Sequence, residues 1–189
     1  MILGREVRFR ELSGFLALLV VSIVAMPSCG DETAKVRGSS GRNIEIHAGD
    51  PLIVDKAFFE SVEGTKVIIP SASNRQLVVL KVDVVNRTST VIPLMVDPEA
   101  VKLGDRRGKR YAAVNPFEKS KSVSVSPEEG PGVKNIAPLL WDDTELPRNY
   151  QVGGYIVFDV PKGLLLGTLF WDEIEYIPVD FIDYWKNRD

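Results

Sequence analysis

The sequence is poor in the residues on which disulfide, zinc and imidazole chemistry depend. Its 189 residues include one cysteine, Cys29, and one histidine, His47. A disulfide framework or a Cys/His zinc site needs several such residues in one chain. A Ser/His site would have to use His47, and the GxSxG turn of many hydrolases is absent. We therefore expect no metal, no cofactor and no disulfide, and we interpret His47 as a surface residue.

The chain also has no excess of positive charge. The chain has 23 Lys and Arg against 26 Asp and Glu, a formal net charge of −3. Such a balance supplies no field that would attract a phosphate backbone, so we expect no nucleic-acid partner. One basic cluster stands out at a predicted hairpin tip within residues 100–114; its members are Arg106, Arg107, Lys109 and Arg110. This tip is either simply solvated or in contact with anionic lipid headgroups.

No apolar run is long enough to cross a bilayer. The longest, Phe15 to Met26, is interrupted by Ser22 and as a helix would cover roughly 18 Å, against ~30 Å of hydrocarbon. With arginines before it, this run is typical of a signal peptide. We therefore interpret residues 1–28 as a lipoprotein-type signal peptide.

Cys29 follows this run directly, behind the small residue Ser28. That placement resembles the bacterial lipobox, in which the cysteine is lipidated and becomes the mature N-terminus. Acyl chains would anchor the protein without a transmembrane helix, at the extracytoplasmic face of the cell membrane. The alternative is an unpaired cysteine beside an ordinary secretory cleavage site.

The rest of the chain divides by composition into a tether and a domain. Residues 29–43 are polar, contain glycine and serine, and lack any period, which predicts a flexible tether. From Ile44 to Asp189, short runs rich in Ile, Val and Phe alternate with turn residues, which predicts one all-β domain, a β-sandwich. Five prolines between residues 115 and 150 argue against any helix there.

The run Gly153 to Pro161 is apolar on both faces, which predicts a central strand. Phe158 should be an anchor of the core, and Asp159 should face outward near the strand end. The apolar run Leu164 to Trp171 follows a Lys-Gly turn, so we expect the two runs to pair as a hairpin.

Two pairs of adjacent acids, Asp142-Asp143 and Asp172-Glu173, keep an envelope hydrolase of the carboxylate-pair glycosidase type open as an alternative. Neighbouring strand residues point to opposite faces, however, so neither pair converges by itself. Acidic turns are the simpler interpretation of both pairs.

The proline-rich segment Pro127 to Tyr150 is the predicted recognition surface. It is too apolar for a disordered linker, and insertions at one end of a sandwich often bind partners. The candidate residues are Trp141 as an anchor and, as its polar rim, Asp142, Asp143 and Glu145. The alternative is that Ile136 to Trp141 forms one more strand, or a lid over the sandwich end.

Several runs together resemble the bacterial DUF4352 family of secreted or lipid-anchored proteins. The matching features lie between Leu52 and Tyr176: a valine-rich strand ending at Asn86, the hairpin return Gly108 to Tyr111, and the run Gly154 to Pro161. The resemblance implies an immunoglobulin-like antiparallel β-sandwich and carries over no catalytic residues.

These features lead to one expected function. We expect a monomeric, lipid-anchored binding or accessory module of the bacterial cell envelope, without catalytic activity, whose partner is an unidentified envelope protein or ligand. The alternatives are the envelope hydrolase described above and a purely structural surface protein.

Overall fold

The computed structural model describes residues 35–124 and 130–181. These ranges belong to one compact unit, residues 33–189. The predicted signal peptide and the predicted lipidation site Cys29 lie outside the described residues. Within the described ranges, strands dominate and no helix is long and apolar enough to cross a membrane. The predicted all-β sandwich is therefore confirmed.

The strands and the one helical turn of the described ranges are β1 (Arg37–Ser40), β2 (Ile44–Ala48), β3 (Leu52–Val54), β4 (Lys56–Ser61), β5 (Gly64–Ile68), β6 (Arg75–Asn86), β7 (Ile92–Val96), β8 (Val101–Asp105), β9 (Arg110–Ala112), α1 (Pro116–Lys119), β10 (Ser120–Ser122), β11 (Val133–Asn135), β12 (Asp142–Leu146), β13 (Gln151–Pro161), β14 (Leu166–Trp171) and β15 (Ile177–Asp180).

The strands form three layers. The central sheet has the order β1-β2-β6-β13, and β3 also pairs with β6. On one of its faces lie the first outer sheet, β15-β14-β8-β9, and a two-stranded ribbon of β7 and β12. The second outer sheet, β10-β5-β4-β11, covers the other face. All these pairs are antiparallel except that of β11 with β4.

The pair β6 and β13 is the middle of the molecule. The two strands align over their whole common length, from Gln151 opposite Val85 to Pro161 opposite Arg75. One face of the pair contributes seven side chains to the larger core: Val78, Leu80, Val82, Val84, Ile156, Phe158 and Val160. The other face contributes three to the smaller core: Leu77, Val79 and Val157. Phe158 is fully buried and both faces of β13 are covered, as predicted, but β13 ends the sheet order and, among the described residues, meets only isolated bridges to Leu139 and Ala113 on its other side.

Gly154 lets a neighbouring segment lie directly against β13. A Cβ atom on this residue would come within 2.7 Å of the backbone of Pro138 and Leu140. The segment is fixed there because Tyr155 N–H donates to the Pro138 carbonyl at 2.8 Å and Leu140 N–H donates to the Tyr155 carbonyl at 3.1 Å. Ile136 is buried in the smaller core and Leu140 in the larger core, so these two residues of the apolar stretch before Trp141 belong to the core, whereas Ala137 and Pro138 are exposed.

The predicted hairpin between Gly153–Pro161 and Leu164–Trp171 is wrong. Strand β13 pairs with β6, whereas β14 pairs with β8 and β15. The connection at residues 162–165, with Gly163 at φ +74°, therefore crosses from the central sheet to the first outer sheet. Both runs are apolar, and apolar character alone does not distinguish a hairpin from a crossing between two layers.

The predicted tether is shorter than expected, because β1 lies within residues 29–43. The polar sequence of β1 gives no strand pattern, and β1 is held instead by backbone pairing to β2. The side chain of Arg37 adds an ion pair with Asp50 and lies over the ring of Phe181, with its guanidinium carbon 5.7 Å from the ring centroid. The folded part thus begins before Ile44.

The expected absence of helix between residues 115 and 150 is also wrong by one turn. Pro116 occupies the start of α1, where its missing N–H is not needed. The Asn115 side chain accepts the N–H groups of Phe117 and Glu118, at 3.0 and 3.3 Å. A proline and a capping residue together therefore begin a helical turn here rather than prevent it.

Asp159 does not face free solvent as expected. Its Oδ1 accepts from Arg75 Nε at 2.9 Å and its Oδ2 from Ser71 N–H at 3.1 Å. The Asp159 side chain is only 16% exposed. This residue therefore fixes the end of β13 to the start of β6.

Candidate functional site

The described part of the predicted recognition segment, residues 130–150, is paired with the rest of the fold and is not a projecting loop. Strand β11 joins the second outer sheet, and β12 forms the ribbon with β7. Trp141 is half-buried and packs against the larger core, so it is not a free anchor. Residues Asp142–Leu146 form β12, in which Asp143 lies opposite Met95 and Glu145 opposite Pro93. All four of these paired side chains are at least partly exposed on one face of the ribbon.

Strand alternation separates Asp142 from Asp143 and Glu145, although all three are exposed. Asp142 also has a positive φ of 71°, a conformation that aspartate tolerates better than most residues. The structure thus brings two of the predicted rim residues together and directs Trp141 to the core. A partner-binding role for this ribbon stays a prediction.

The carboxylate pairs do not form converging acid pairs. In the pair Asp172-Glu173, the Oε1 of Glu173 accepts the N–H of Met95 at 3.3 Å, and Asp172 is exposed. Within residues 35–124 and 130–181, no group of three or more His, Cys, Asp or Glu side chains could hold a metal ion. Glu173 instead links β14 to the ribbon.

His47 takes part in a surface ion-pair cluster. Its Nε2 lies 2.7 Å from Glu45 Oε1, and Arg87 donates to the other oxygen of Glu45 at 2.8 Å. The hydrogen bond with His47 holds the pKa of Glu45 below its usual value. Every member of the cluster is at least partly exposed, which is typical of a surface network and matches the interpretation of His47 as a surface residue.

An aromatic platform lies on the outward face of the first outer sheet. We define it as Arg110, Phe170 and Tyr176. Phe170 faces outward in β14 because its neighbours Leu169 and Trp171 are fully buried. Its ring lies over Gly104, where a Cβ atom would come within 2.5 Å of the ring.

Arg110 and the two rings contact one another. The rings of Phe170 and Tyr176 are stacked, with centroids 6.0 Å apart and an interplanar angle of 22°. The guanidinium carbon of Arg110 lies 3.9 Å from the Phe170 centroid, and its Nη2 donates to the Tyr176 hydroxyl at 3.4 Å. Tyr176 remains 50% exposed. The platform thus presents aromatic surface and guanidinium N–H donors side by side.

The connection of residues 172–176 positions the platform. Glu175 accepts three backbone N–H groups of the turn between β1 and β2: Arg42 at 2.8 Å, and Asn43 and Ile44 at 2.7 Å each. Burial alone would raise the pKa of Glu175, but these hydrogen bonds hold it below its usual value. Tyr176 follows this fixed residue, so its ring is held beside Phe170.

Sequence reasoning missed the platform. Phe170 has the outward parity in its strand, which is a usable signal. The contacts with Arg110 and Tyr176, however, depend on strand register and on the space above Gly104, which the sequence pattern does not give.

Comparisons with known proteins add little to this geometry. The sequence matches no family model and no curated protein. A crystal structure of a conserved hypothetical protein from Bacillus anthracis is similar at 13% sequence identity and a TM-score of 0.45, covering 78% of this chain and 94% of that chain. At that distance the likeness carries no argument, and the DUF4352 resemblance stays a prediction. Fold and surfaces define an all-β sandwich protein with an exposed aromatic platform.

Replacing Glu175 by Gln should destabilise the fold in a pH-dependent way. The pKa of Glu175 is lowered in the folded state, so its contribution is present above the unfolded value of about 4.3 and is lost as pH falls through the lower folded value. At pH 7 we expect a loss of about 1 kcal/mol, or roughly 2–4 °C in melting temperature.

Thermal unfolding followed by circular dichroism between pH 7 and pH 3 measures this effect. The difference between wild type and Glu175→Gln should shrink toward the acid end. Glu145→Gln, in an exposed position on β12, serves as the matched control and should leave the melting temperature within about 1 °C at each pH. A pH-independent difference for Glu175→Gln would contradict the role given to its charge.

Proposed function

We propose that this protein is a lipid-anchored module at the extracytoplasmic face of a bacterial cell membrane. In this proposal it binds an envelope protein or another envelope ligand and has no catalytic activity of its own. The location at the cell envelope is supported by the signal-peptide pattern of residues 1–28 and by Cys29 directly after it. The binding role is supported by the surface of the domain.

The aromatic platform is the observation that carries the binding role. A partner that covers this aromatic surface would gain about 25 cal/mol of binding free energy for each Å² removed from water. Tyrosine and arginine are also the side chains most often responsible for binding energy at protein interfaces. Here Arg110 is held against Phe170 and hydrogen-bonded to Tyr176 before any partner arrives. A surface fixed in advance loses less conformational entropy on binding.

The positions of the acidic residues favour binding over hydrolysis. A glycosidase needs two carboxyl groups that face each other across a substrate. Glu173 and Glu175 are instead engaged with backbone N–H groups of β7 and of the β1–β2 turn. Asp143 and Glu145 lie on the open face of the ribbon, opposite Met95 and Pro93.

Replacement of Cys29 by Ala tests the anchor. If Cys29 is lipidated, the wild-type protein should be labelled by a fatty-acid probe in growing cells and should fractionate with membranes. The variant should lose the label completely, because no other cysteine is present in the chain. Fatty-acid labelling that persists in Cys29→Ala would contradict the anchor.

Photocrosslinking from the platform tests the binding role. A photoreactive residue in place of Ala112, which is exposed two positions after Arg110 in β9, should give a discrete crosslinked product in the envelope. Tyr176→Ala in the same protein should abolish the product while the melting temperature falls by only a few degrees, since half of the Tyr176 side chain is exposed.

Tyr150→Ala is the matched control, because it removes a tyrosine of similar exposure, 66%, that is not part of the platform. It should leave the crosslinked product unchanged. If Tyr150→Ala and Tyr176→Ala weaken crosslinking equally, or if neither does, the platform is not the binding surface.

A further inference from the structure

Four cations gather at one end of the sandwich, although the chain as a whole carries a net charge of −3. Arg106, Arg107 and Lys109 come from the β8–β9 turn, and Lys162 comes from the connection between β13 and β14. Together they line an open cavity of about 630 Å³. All four are exposed. We call these residues, together with Leu165, the basic tip.

The acidic residue nearest the basic tip is engaged by backbone. Asp105 lines the same cavity, but its Oδ1 accepts the N–H groups of Arg107 and Lys109, each at 2.8 Å. Its carboxylate therefore shapes the turn and partly offsets the surrounding charge. The four cations still outnumber it, so the cavity attracts anions.

Backbone hydrogen bonds hold the two halves of the basic tip together. Arg106 N–H donates to the Leu165 carbonyl at 3.2 Å, which joins the β8–β9 turn to the β13–β14 connection. Lys162 N–H donates to the Asn74 carbonyl at 2.9 Å, which ties the connection to the start of β6. The cations are thus presented by a fixed backbone.

Leu165 adds an apolar group among these cations. Its side chain is 51% exposed, whereas the next residue, Leu166, is fully buried in the larger core. An exposed leucine ringed by lysine and arginine is typical of surfaces that sit at a membrane interface. The cations contact the phosphate groups, and the apolar side chain enters the boundary between headgroups and acyl chains.

The course of β1 brings the N-terminal chain toward this end. Arg37 pairs with Ala48 of β2, which in turn pairs with Val82 of β6. At the other end of β1, Ser40 pairs with Glu45, which pairs with Val85. Traced from Ser40 back to Arg37, the chain therefore runs toward the beginning of β6. That beginning, Arg75, pairs with Pro161, and Lys162 follows immediately.

Only a short stretch of chain separates Cys29 from the described residues. Between Cys29 and Lys35 lie six residue steps, which reach at most about 20 Å when fully extended. A lipid at Cys29 would therefore keep the domain close to the bilayer, with the end that carries the basic tip on the side from which the chain leaves.

We propose that the basic tip docks the domain on an anionic bilayer surface, with Arg106, Arg107, Lys109 and Lys162 on lipid phosphates and Leu165 in the interface. This deepens the proposed function, on which it rests for the anchor that brings the tip to the membrane. The occupant is the phosphate-bearing headgroup layer of the membrane itself.

Vesicle binding of residues 33–189 tests the docking without the anchor. This part is the compact unit that contains every described strand, and it lacks Cys29. It should co-sediment with vesicles that contain phosphatidylglycerol, less so as NaCl is raised, and not with pure phosphatidylcholine. Arg106→Gln with Arg107→Gln should lower the partition coefficient roughly 25-fold, about fivefold for each removed cation.

A matched control removes the same charge elsewhere. Lys81 and Arg148 are exposed and lie outside the basic tip, so Lys81→Gln with Arg148→Gln should lower binding far less. Equal losses in the two double variants would overturn the proposal, because binding would then follow net charge. Tight binding of soluble polyphosphate without any binding of anionic vesicles would overturn it too.

A single thiol reports whether Leu165 enters the interface. Since residues 33–189 contain no cysteine, Leu165→Cys can carry one polarity-sensitive fluorophore. Its emission should shift to the blue on phosphatidylglycerol vesicles, whereas a label at Tyr150→Cys, near the opposite end of β13, should not shift. Equal shifts, or none, would overturn the docked orientation.

The outcomes separate this proposal from the proposed function. Vesicle binding that follows the basic tip while Cys29 proves unlabelled in cells would support the docking surface and remove the anchor. A lipidated Cys29 combined with no binding to anionic vesicles would keep the anchor and overturn the docking.

Discussion

The antiparallel pairing of β6 with β13 is the constraint on which the rest of the structure depends. The pair runs unbroken from Gln151 to Pro161 and buries apolar side chains on both of its faces. A strand pair of this kind cannot be left with one face in water, so it requires a layer on each side. The first outer sheet and the ribbon supply one layer, and the second outer sheet supplies the other.

The candidate surfaces follow from how the chain leaves this pair. At Pro161 the chain crosses to the first outer sheet, and the crossing places Lys162 and Leu165 beside the β8–β9 turn. The outward face of the same sheet carries Phe170, while its inward face is part of the larger core. Glu175 then fixes the following connection to the β1–β2 turn. Backbone contacts therefore determine where the exposed side chains lie.

The sequence pattern was most informative where the burial or exposure of a side chain depends only on its own strand. Apolar residues on both parities of residues 155–160 predict a doubly covered strand, and Phe158 is fully buried as that pattern requires. The basic hairpin tip was predictable for the same reason, because glycines and charges mark a turn locally.

Features that depend on partners distant in sequence were not predictable. The pairing of β13 with β6 rather than β14 is a choice among several apolar strands. Strand β1 has no apolar pattern that would predict it. It is held instead by backbone pairing to β2 and by the ion pair of Arg37. Asp159 was expected to face outward because it is charged and near the strand end, but Arg75 of the neighbouring strand β6 pairs with it. The aromatic platform likewise needs Gly104 beneath Phe170.

Native-state hydrogen exchange tests the central place of the β6–β13 pair most directly. Amides in regions that open only with global unfolding exchange slowest, and those in peripheral strands exchange by local opening. We predict that the hydrogen-bonded amides of residues 77–82 and 155–160 are the slowest in the chain, and that those of β1 and β12 exchange much faster. Exchange of the β6 and β13 amides at the rate of β1 or β12 would contradict this structure's central dependence on the pair.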